Sequence, residues 1–385
     1  MRKLSLTMCL LLAAIFVYGQ KKEVNNAYNY YVNGYLDRAK EAIDRAILND
    51  ETAKEAKTWM YRGNIYLRLA DARDKQDKDY KNLCTNCAEI AYDSYKKAFD
   101  LDPEITVGMN IPTPQKGYEY CASFLYNDAV KLFGEQKYEE AYTLLIKANA
   151  AHPKQEYIVY LLAYTAEITK KTDEAKSHYN FLVHKKSKND RAYQQLAGIY
   201  KSENDTVKML KTMQDGEAIF MTKDTMYKNF VLAYSFFLSW AGKADEATDV
   251  IEKALEKYPN DHIFLISYGT SLSDDGQYEK AEEYLKRALE INPNETTAVF
   301  NLGTCYYNNY RKIVRSLGDI SDQKEYDRQK ALADDLLGKA RVEMEKAHAM
   351  DAKDKNTLIA LKEIYTRMGK LDELKAINEK LEALK

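Results

Sequence analysis

The amino-acid sequence predicts an all-α fold built from repeated pairs of antiparallel helices. Small residues and prolines recur 34 positions apart, as in Gly242 and Gly276, Ala247 and Ala281, Ala254 and Ala288, Pro259 and Pro293, and Gly269 and Gly303. The 385 residues include only 15 glycines and six prolines, too few for the many tight turns of a β-sandwich or barrel. Charged residues at 30% and hydrophobic residues at 45% are typical of a globular chain rather than a disordered one.

The first 19 residues have the pattern of an export signal. Arg2 and Lys3 precede an apolar run over 4–17, and the small residue Gly19 is followed by Gln20, where we expect the mature chain to begin. The run is too short to span a bilayer, and no later stretch is apolar enough to do so. A glutamine at the mature start is common in Bacteroidetes. We therefore predict an exported protein of a Gram-negative cell, soluble after signal cleavage and periplasmic or associated with the outer membrane.

The clearest repeat lies between residues 265 and 293. It reads Leu265-x2-Tyr268-Gly269-x2-Leu272, then Gly276-x-Tyr278-x2-Ala281-x3-Leu285-x2-Ala288-x4-Pro293. Small residues at 269 and 281 let two helix backbones approach closely, and the proline ends the second helix because it lacks a backbone donor. The pattern closely resembles the tetratricopeptide repeat. The resemblance implies a right-handed α-solenoid of about nine helix pairs that binds protein or peptide partners.

The same spacing divides the mature chain into nine candidate units. Units one and two occupy 20–103 and carry an insertion near 68–87. Units three to nine occupy 118–385 and carry a second insertion near 308–335. The segment 104–117 between them is a linker, either a hinge or a rigid elbow.

Both insertions are expected to be helical hairpins that extend a unit. The second insertion is charged and has few helix breakers besides Leu317-Gly318-Asp319, and Ser321 is the expected N-cap of its second helix. An arm of this kind either contacts a partner or is simply solvated.

No enzyme chemistry is apparent in the sequence. The five histidines show no metal-binding spacing, and there is neither a phosphate-binding loop nor a nucleophile elbow. The net charge of −2 gives no electrostatic reason to expect a nucleic acid as the main ligand. We therefore expect a protein that is not an enzyme and has no cofactor and no metal.

Cys84 and Cys87 form the only motif that carries chemistry. A C-x-x-C pair can be a local disulfide, two free thiols, a redox pair or half of a metal site. Export favours a disulfide that staples the first insertion. The other mature cysteines, Cys121 and Cys305, are isolated in the sequence.

Tyrosine is unusually common, with 32 residues. In the family that the repeat resembles, the first helix of each unit lines a concave groove. Carrying that geometry over, the expected groove residues are Tyr28, Tyr31, Tyr126, Phe133, Tyr157, Tyr160, Tyr164, Phe236, Phe300 and Tyr307. Each ring offers a large rigid surface, and the tyrosines add a polar hydroxyl, which suits a binding surface. The alternative is that these rings pack only against neighbouring helices.

Three functions fit the sequence. The first is a non-catalytic scaffold of the cell envelope that holds peptide segments or partner subunits in an aromatic groove. The second is a client-holding protein that exchanges disulfides through Cys84 and Cys87. The third is a structural array that associates with itself.

Overall fold

The computed structural model describes residues 22–220 and 224–384. The predicted export signal lies outside these residues. Within them every regular element is helical, and the predicted all-α class is confirmed. The chain divides into two compact units, and the boundary in the sequence falls between Ser187 and Lys188.

The first unit contains eight α-helices in the part that the structure describes. They are α1 (22–32), α2 (Leu36–Ala46), α3 (Ala56–Asp74), α4 (Cys87–Leu101), α5 (Pro114–Gly134), α6 (Tyr138–Ala151), α7 (Glu156–Ile168) and α8 (Thr172–His184). A short 3-10 turn, Thr52–Lys54, precedes α3. Each odd-numbered helix is the first helix of a pair. From α3 to α8 the helices pack within their pairs, and α4 also packs against α5 and α6 against α7.

The second unit contains ten α-helices in its described part. They are α9 (Asp190–Ser202), α10 (Thr206–Phe220), α11 (Asp224–Trp240), α12 (Ala244–Lys257), α13 (His262–Asp274), α14 (Tyr278–Ile291), α15 (Thr296–Ser316), α16 (Gln323–Met350), α17 (Lys355–Met368) and α18 (Leu371–Glu382). A 3-10 turn, Leu317–Asp319, follows α15. The 18 helices that are described therefore form nine pairs, in agreement with the expected number.

Close approach within a pair depends on glycine. A Cβ built at Gly269 on α13 would lie 2.8 Å from Cγ of Leu285 and 3.2 Å from the carbonyl oxygen of Ala281 on α14. Gly63 on α3 faces the ring of Tyr95 on α4 in the same way, at 2.6 Å. The small residue is therefore needed where two helix backbones cross.

Four second helices end two residues before a proline, as the sequence predicts. These helices are α4, α6, α12 and α14, and the prolines are Pro103, Pro153, Pro259 and Pro293.

The turn between the two helices of a pair has a recurring backbone conformation. In several pairs, the residue two positions after the end of the first helix has a positive φ, in the left-handed region. Glycine fills this position at Gly242 and Gly276, whereas Gln136, Lys170 and Asn204 adopt the same conformation with a side chain.

The two insertions differ from each other. The second is the expected hairpin: α15 and α16 are lengthened to 21 and 28 residues. Its N-cap is Asp322 rather than Ser321, because the Asp322 carboxylate accepts a hydrogen bond from the backbone N–H of Glu325 at 2.8 Å. The expectation of a helical hairpin is wrong for the first insertion, where only α3 is lengthened and residues 75–86 form a loop of turns.

The segment 104–117 lies inside the first unit and is tied to α3. The side-chain amide of Asn64 donates to the carbonyl oxygen of Ile111, and the Ile111 N–H donates to the Asn64 side-chain oxygen, each at 3.2 Å. Thr113 then caps α5, with Pro114 at its first position. As a boundary between domains, 104–117 stays a prediction.

Candidate functional site

Five of the predicted groove residues come together on α5 and α7. Tyr126 and Tyr157 meet edge to face with ring centroids 4.7 Å apart, and Phe133 lies 5.7 Å from Tyr164. Tyr160 stacks on Tyr164 at 6.3 Å with an angle of only 6° between the rings. We call these five rings the aromatic strip. It forms because positions seven apart on α5, and three and seven apart on α7, share one helix face.

The strip has an accessible front and a packed back. The side chain of Tyr157 is 46% exposed, and the other four rings are half-buried. Tyr138 of α6 contacts Phe133 at 5.1 Å, and Tyr179 of α8 contacts Tyr160 at 6.3 Å. The second helices thus hold the rings in place from behind.

The surroundings raise the pKa of one phenol in the strip and of one phenol behind it. Burial raises the pKa of Tyr126, and the neighbouring Tyr157 adds to the effect. The pKa of Tyr179 is also raised, first by burial and then by its contact with Glu167, whose carboxylate accepts a hydrogen bond from the phenol at 3.0 Å. Tyr126 in the strip and Tyr179 behind it therefore keep their protons at neutral pH.

The other five predicted groove residues lie elsewhere. In the first unit, Tyr28 stacks on Tyr61 of α3 at 5.2 Å. In the second, Phe236 is 55% exposed and the Lys201 ammonium sits over its ring at 4.6 Å. Phe300 is half-buried on α15.

Tyr307, also on α15, is only 8% exposed. Burial and the nearby Glu363 of α17 raise its pKa to about 12. Its ring offers little surface to a partner, and it is not part of the aromatic strip.

Tyr31 lines a cleft of about 750 Å³ in the first unit that the sequence did not indicate. Both irregular segments of that unit contribute to its walls. Tyr80 in loop 75–86 donates a hydrogen bond to the carbonyl oxygen of Gly34 at 2.7 Å. The lining residues are Tyr31, Val32, Gly34, Leu36, Arg68, Asp71, Ala72, Lys75, Asp77, Tyr80, Gly108, Met109 and Asn110.

A second feature absent from the sequence analysis lies at the base of the α15–α16 hairpin. Arg311, Lys312 and Arg315 line a pocket of about 490 Å³. The Lys312 ammonium lies 5.4 Å from the ring of Tyr278. In the sequence these cations are part of a charged arm, and no local pattern distinguishes them from the rest of it.

Cys84 and Cys87 lie at the junction of loop 75–86 and α4. Cys87 is buried as the first residue of α4, whereas Cys84 is half-buried. The Cys87 thiol donates to the Cys84 carbonyl oxygen at 3.0 Å, and both residues are thiols in the structure. The disulfide between them stays a prediction. Cys121 and Cys305 are buried and lie apart from this pair.

Among residues 22–220 and 224–384, no three His, Cys, Asp or Glu side chains are placed to hold a metal ion. The same part of the chain has no helix with the length and apolar character to cross a membrane. Burial lowers the pKa of His178, as is ordinary for a packed histidine.

Residues 263–295 match the model of the tetratricopeptide repeat family. The match covers α13 and α14, the pair in which Gly269 contacts Leu285. Residues 263–295 therefore form a tetratricopeptide repeat. Such repeats build non-catalytic scaffolds in general, so the coarse function that the fold indicates is protein–protein interaction.

Several solved structures share the helical-repeat architecture. A tetratricopeptide repeat protein from Parabacteroides merdae is 14% identical, covering 77% of this chain and 99% of its own, with a TM-score of 0.43. The C-terminal part of a repeat protein from Cytophaga hutchinsonii is 17% identical, covering 67% and 95%, with a TM-score of 0.48. Human IFIT1, solved as a dimer with m7Gppp-AAAA, is 16% identical over 83% of this chain and 68% of its own, with a TM-score of 0.43.

These similarities are too weak to transfer a ligand to this chain. No curated protein matches the sequence.

Proposed function

We propose that this protein is a non-catalytic scaffold of the cell envelope, and that the aromatic strip binds an extended segment of a partner protein. The observation that carries the proposal is the contact between rings of two successive first helices, with Tyr157 of α7 46% exposed. A patch of rings that already pack on one another is preorganised, so little side-chain entropy is lost on binding.

The chemistry of the strip favours a segment with apolar or aromatic side chains. The ring faces bury apolar groups, and aromatic pairs gain about 0.5–1.5 kcal/mol beyond area burial. The phenol hydroxyls can meanwhile hydrogen-bond to the backbone of an extended peptide. Tyrosines are enriched among the residues that dominate binding energy at protein interfaces.

The test places a photoreactive amino acid at position 157. The matched control places it at position 120, because Tyr120 is 55% exposed on α5. A helix turns by about 100° per residue, so Tyr120, six residues before Tyr126, points about 120° away from it around the helix axis. We expect position 157 to crosslink discrete envelope proteins that position 120 does not capture. Equal capture from both positions would refute binding at the strip.

A second variant set separates binding from folding. Tyr157→Ala, Tyr160→Ala and Tyr164→Ala together remove the α7 part of the strip. Three exposed aromatics outside the strip provide a control triple of similar size: Tyr35→Ala, Phe99→Ala and Tyr120→Ala. With unchanged helicity in both, only the strip triple should lose the partners. The single Tyr157→Ala change, at the most exposed ring of the strip, covers the case in which the triple does not fold.

The envelope location rests on the export pattern of residues 1–19 and is tested separately. Mass spectrometry of protein from fractionated cells should find a mature N-terminus at Gln20 in the envelope fraction. An intact Met1 in the cytoplasmic fraction would overturn this part of the proposal. Light scattering at increasing concentration tests the self-associating alternative, which requires the mass to rise with concentration.

A further inference from the structure

We propose that Cys84 and Cys87 form a reversible dithiol–disulfide site that reacts with accessible disulfides. Cys84 is the attacking residue and Cys87 is the resolving residue. This activity goes beyond the binding role of the scaffold and does not depend on the aromatic strip.

The two cysteines differ in accessibility as such a site requires. Cys84 is half-buried in the loop, where an incoming disulfide can reach its sulfur. Cys87 is 0% exposed at the first position of α4 and is covered by the fold. Its thiol donates to the carbonyl oxygen of Cys84 at 3.0 Å, so its sulfur lies beside the residue that it must attack. The C-x-x-C spacing is that of known dithiol–disulfide redox motifs.

The surroundings of Cys84 stabilise its thiolate. The hydrogen bond from the Cys87 thiol lowers the pKa of Cys84, and the positive charges of Arg73 and Lys40 act in the same direction against burial. The pKa of Cys87 is raised, first by its hydrogen bond to Cys84 and then by burial. One sulfur is therefore prepared to attack while the other keeps its proton. This division matters because the thiolate is the nucleophile in disulfide exchange.

The loop that holds Cys84 is fixed by Arg73, whose side chain is only 16% exposed. Its guanidinium donates to the carbonyl oxygen of Thr85 at 2.5 Å and forms an ion pair with Asp128 of α5 at 2.6 Å. It also pairs with Asp74 at 2.9 Å. One largely buried cation thus joins the end of α3, the C-x-x-C segment and α5, which holds the backbone beside Cys84 in place.

The reaction balances with a disulfide as the only co-reactant. The Cys84 thiolate attacks one sulfur of a substrate disulfide, the substrate S–S bond breaks, and the first thiolate leaves and takes a proton from water. The Cys87 sulfur then attacks Cys84 Sγ as its proton passes to the second leaving thiolate. Two electrons and two protons reduce the substrate to two thiols, and the chain keeps a Cys84–Cys87 disulfide.

The experiment uses the mature chain, reduced and freed of reductant, with oxidised glutathione as the probe. We expect two equivalents of reduced glutathione to be released and peptide mapping to find a Cys84–Cys87 bond. Cys87→Ser should stop at a glutathione mixed disulfide on Cys84, and Cys87→Ala serves if the serine variant does not fold. Cys84→Ser should release none. Cys121→Ser changes another buried cysteine and should behave as the wild type.

A second readout separates reactivity from a purely structural role. The rate of Cys84 alkylation by iodoacetamide, followed against pH, should have its midpoint below the usual thiol value of about 8.5. Lys40→Gln removes one of the two positive charges and should move that midpoint upward. The proposal is overturned if the folded protein forms no Cys84–Cys87 bond, if it does so only in denaturant, or if Cys84 titrates as an ordinary thiol.

Discussion

Tyr95 is packed against two glycines, and this contact can be tested quantitatively. The ring is fully buried on α4. A Cβ at Gly117 of α5 would lie 2.5 Å from its Cγ and Cδ1 atoms, and one at Gly63 of α3 would lie 2.6 Å from Cε1. Because both glycines press on one enclosed ring, Gly117→Ala forces the ring or a helix to move.

Two effects of opposite sign set the size of the change. Adding a methyl group to a core that is already well packed costs about 1–3 kcal/mol. Replacing a helical glycine by alanine returns about 0.5–1 kcal/mol through lower entropy of the unfolded chain. We therefore expect Gly117→Ala to destabilise the first unit by about 1 kcal/mol, within a range of about 0–2.5 kcal/mol. For ordinary m-values this central figure lowers the urea midpoint by roughly 0.5 M.

The matched control lies on the same helix. Gly134 ends α5, its φ is not positive, and nothing stands within 4 Å of a Cβ built there. Gly134→Ala should therefore be neutral or stabilising by up to about 1 kcal/mol. In a Tyr95→Leu background the cost of Gly117→Ala should shrink, because the ring that it meets is gone.

The assay must report on one unit, because repeat arrays need not unfold in a single step. The chain has two tryptophans, Trp59 in the first unit and Trp240 in the second. In a Trp240→Phe background, the fluorescence of Trp59 follows urea unfolding of the first unit. The packing argument is refuted if Gly117→Ala leaves the midpoint as high as Gly134→Ala does.

Three further outcomes are expected. The Tyr95 hydroxyl is buried without a hydrogen-bond partner among the residues described, so Tyr95→Phe should leave the urea midpoint unchanged or raise it, and a clear loss would contradict this. Burial and a hydrogen bond to Glu345 raise the pKa of Tyr365 to about 12, so the unfolded chain loses this proton at lower pH than the folded chain and stability falls between pH 10 and 12. Urea titrations at several pH values should find a shallower fall in stability for Tyr365→Phe than for the wild type. Equal falls in the two proteins would contradict this reasoning. Asp322→Ala should speed hydrogen exchange in the first turn of α16 at a cost of about 0.5–2 kcal/mol, whereas Ser321→Ala should not.

The helix pairs could be predicted because their signals are local. Gly269, Ala281 and Pro293 mark a crossing and a helix end within one short segment, and α13 and α14 follow them. The predicted cap, Ser321, lies one residue before the observed cap, Asp322. Serine and aspartate are both good N-caps, and only the geometry shows which side chain reaches the Glu325 N–H.

The remaining features depend on contacts that are distant in the sequence. Loop 75–86 is held partly by the hydrogen bond from Tyr80 to Gly34, which no local pattern predicts. The turn at Lys170 keeps the left-handed conformation without glycine, because the two packed helices impose it. The sequence signal for the turn is therefore weaker in the pairs that lack glycine two residues after the first helix.

For the candidate site, periodicity predicts which residues share a face but not what covers that face. Tyr157 and Tyr307 both lie on first helices, Tyr157 in the first turn of α7 and Tyr307 in the middle of α15. Tyr157 is 46% exposed and Tyr307 is 8% exposed, because Glu363 of α17 approaches Tyr307 from the following pair. Which rings remain accessible depends on the neighbouring helices and is visible only in the structure.

The lengthened hairpin has a consequence for local unfolding. Its last buried residue on α15 is Tyr307, and the first on α16 is Ala333, so residues 308–332 contribute no fully buried side chain. A segment with so little buried surface opens at a free energy far below that of the pairs at its base. A protease should therefore cut first near 317–322 and leave two fragments that stay associated through the packed bases of α15 and α16. The hairpin is thus the natural place to attach a label or insert a tag without disturbing the rest of the second unit.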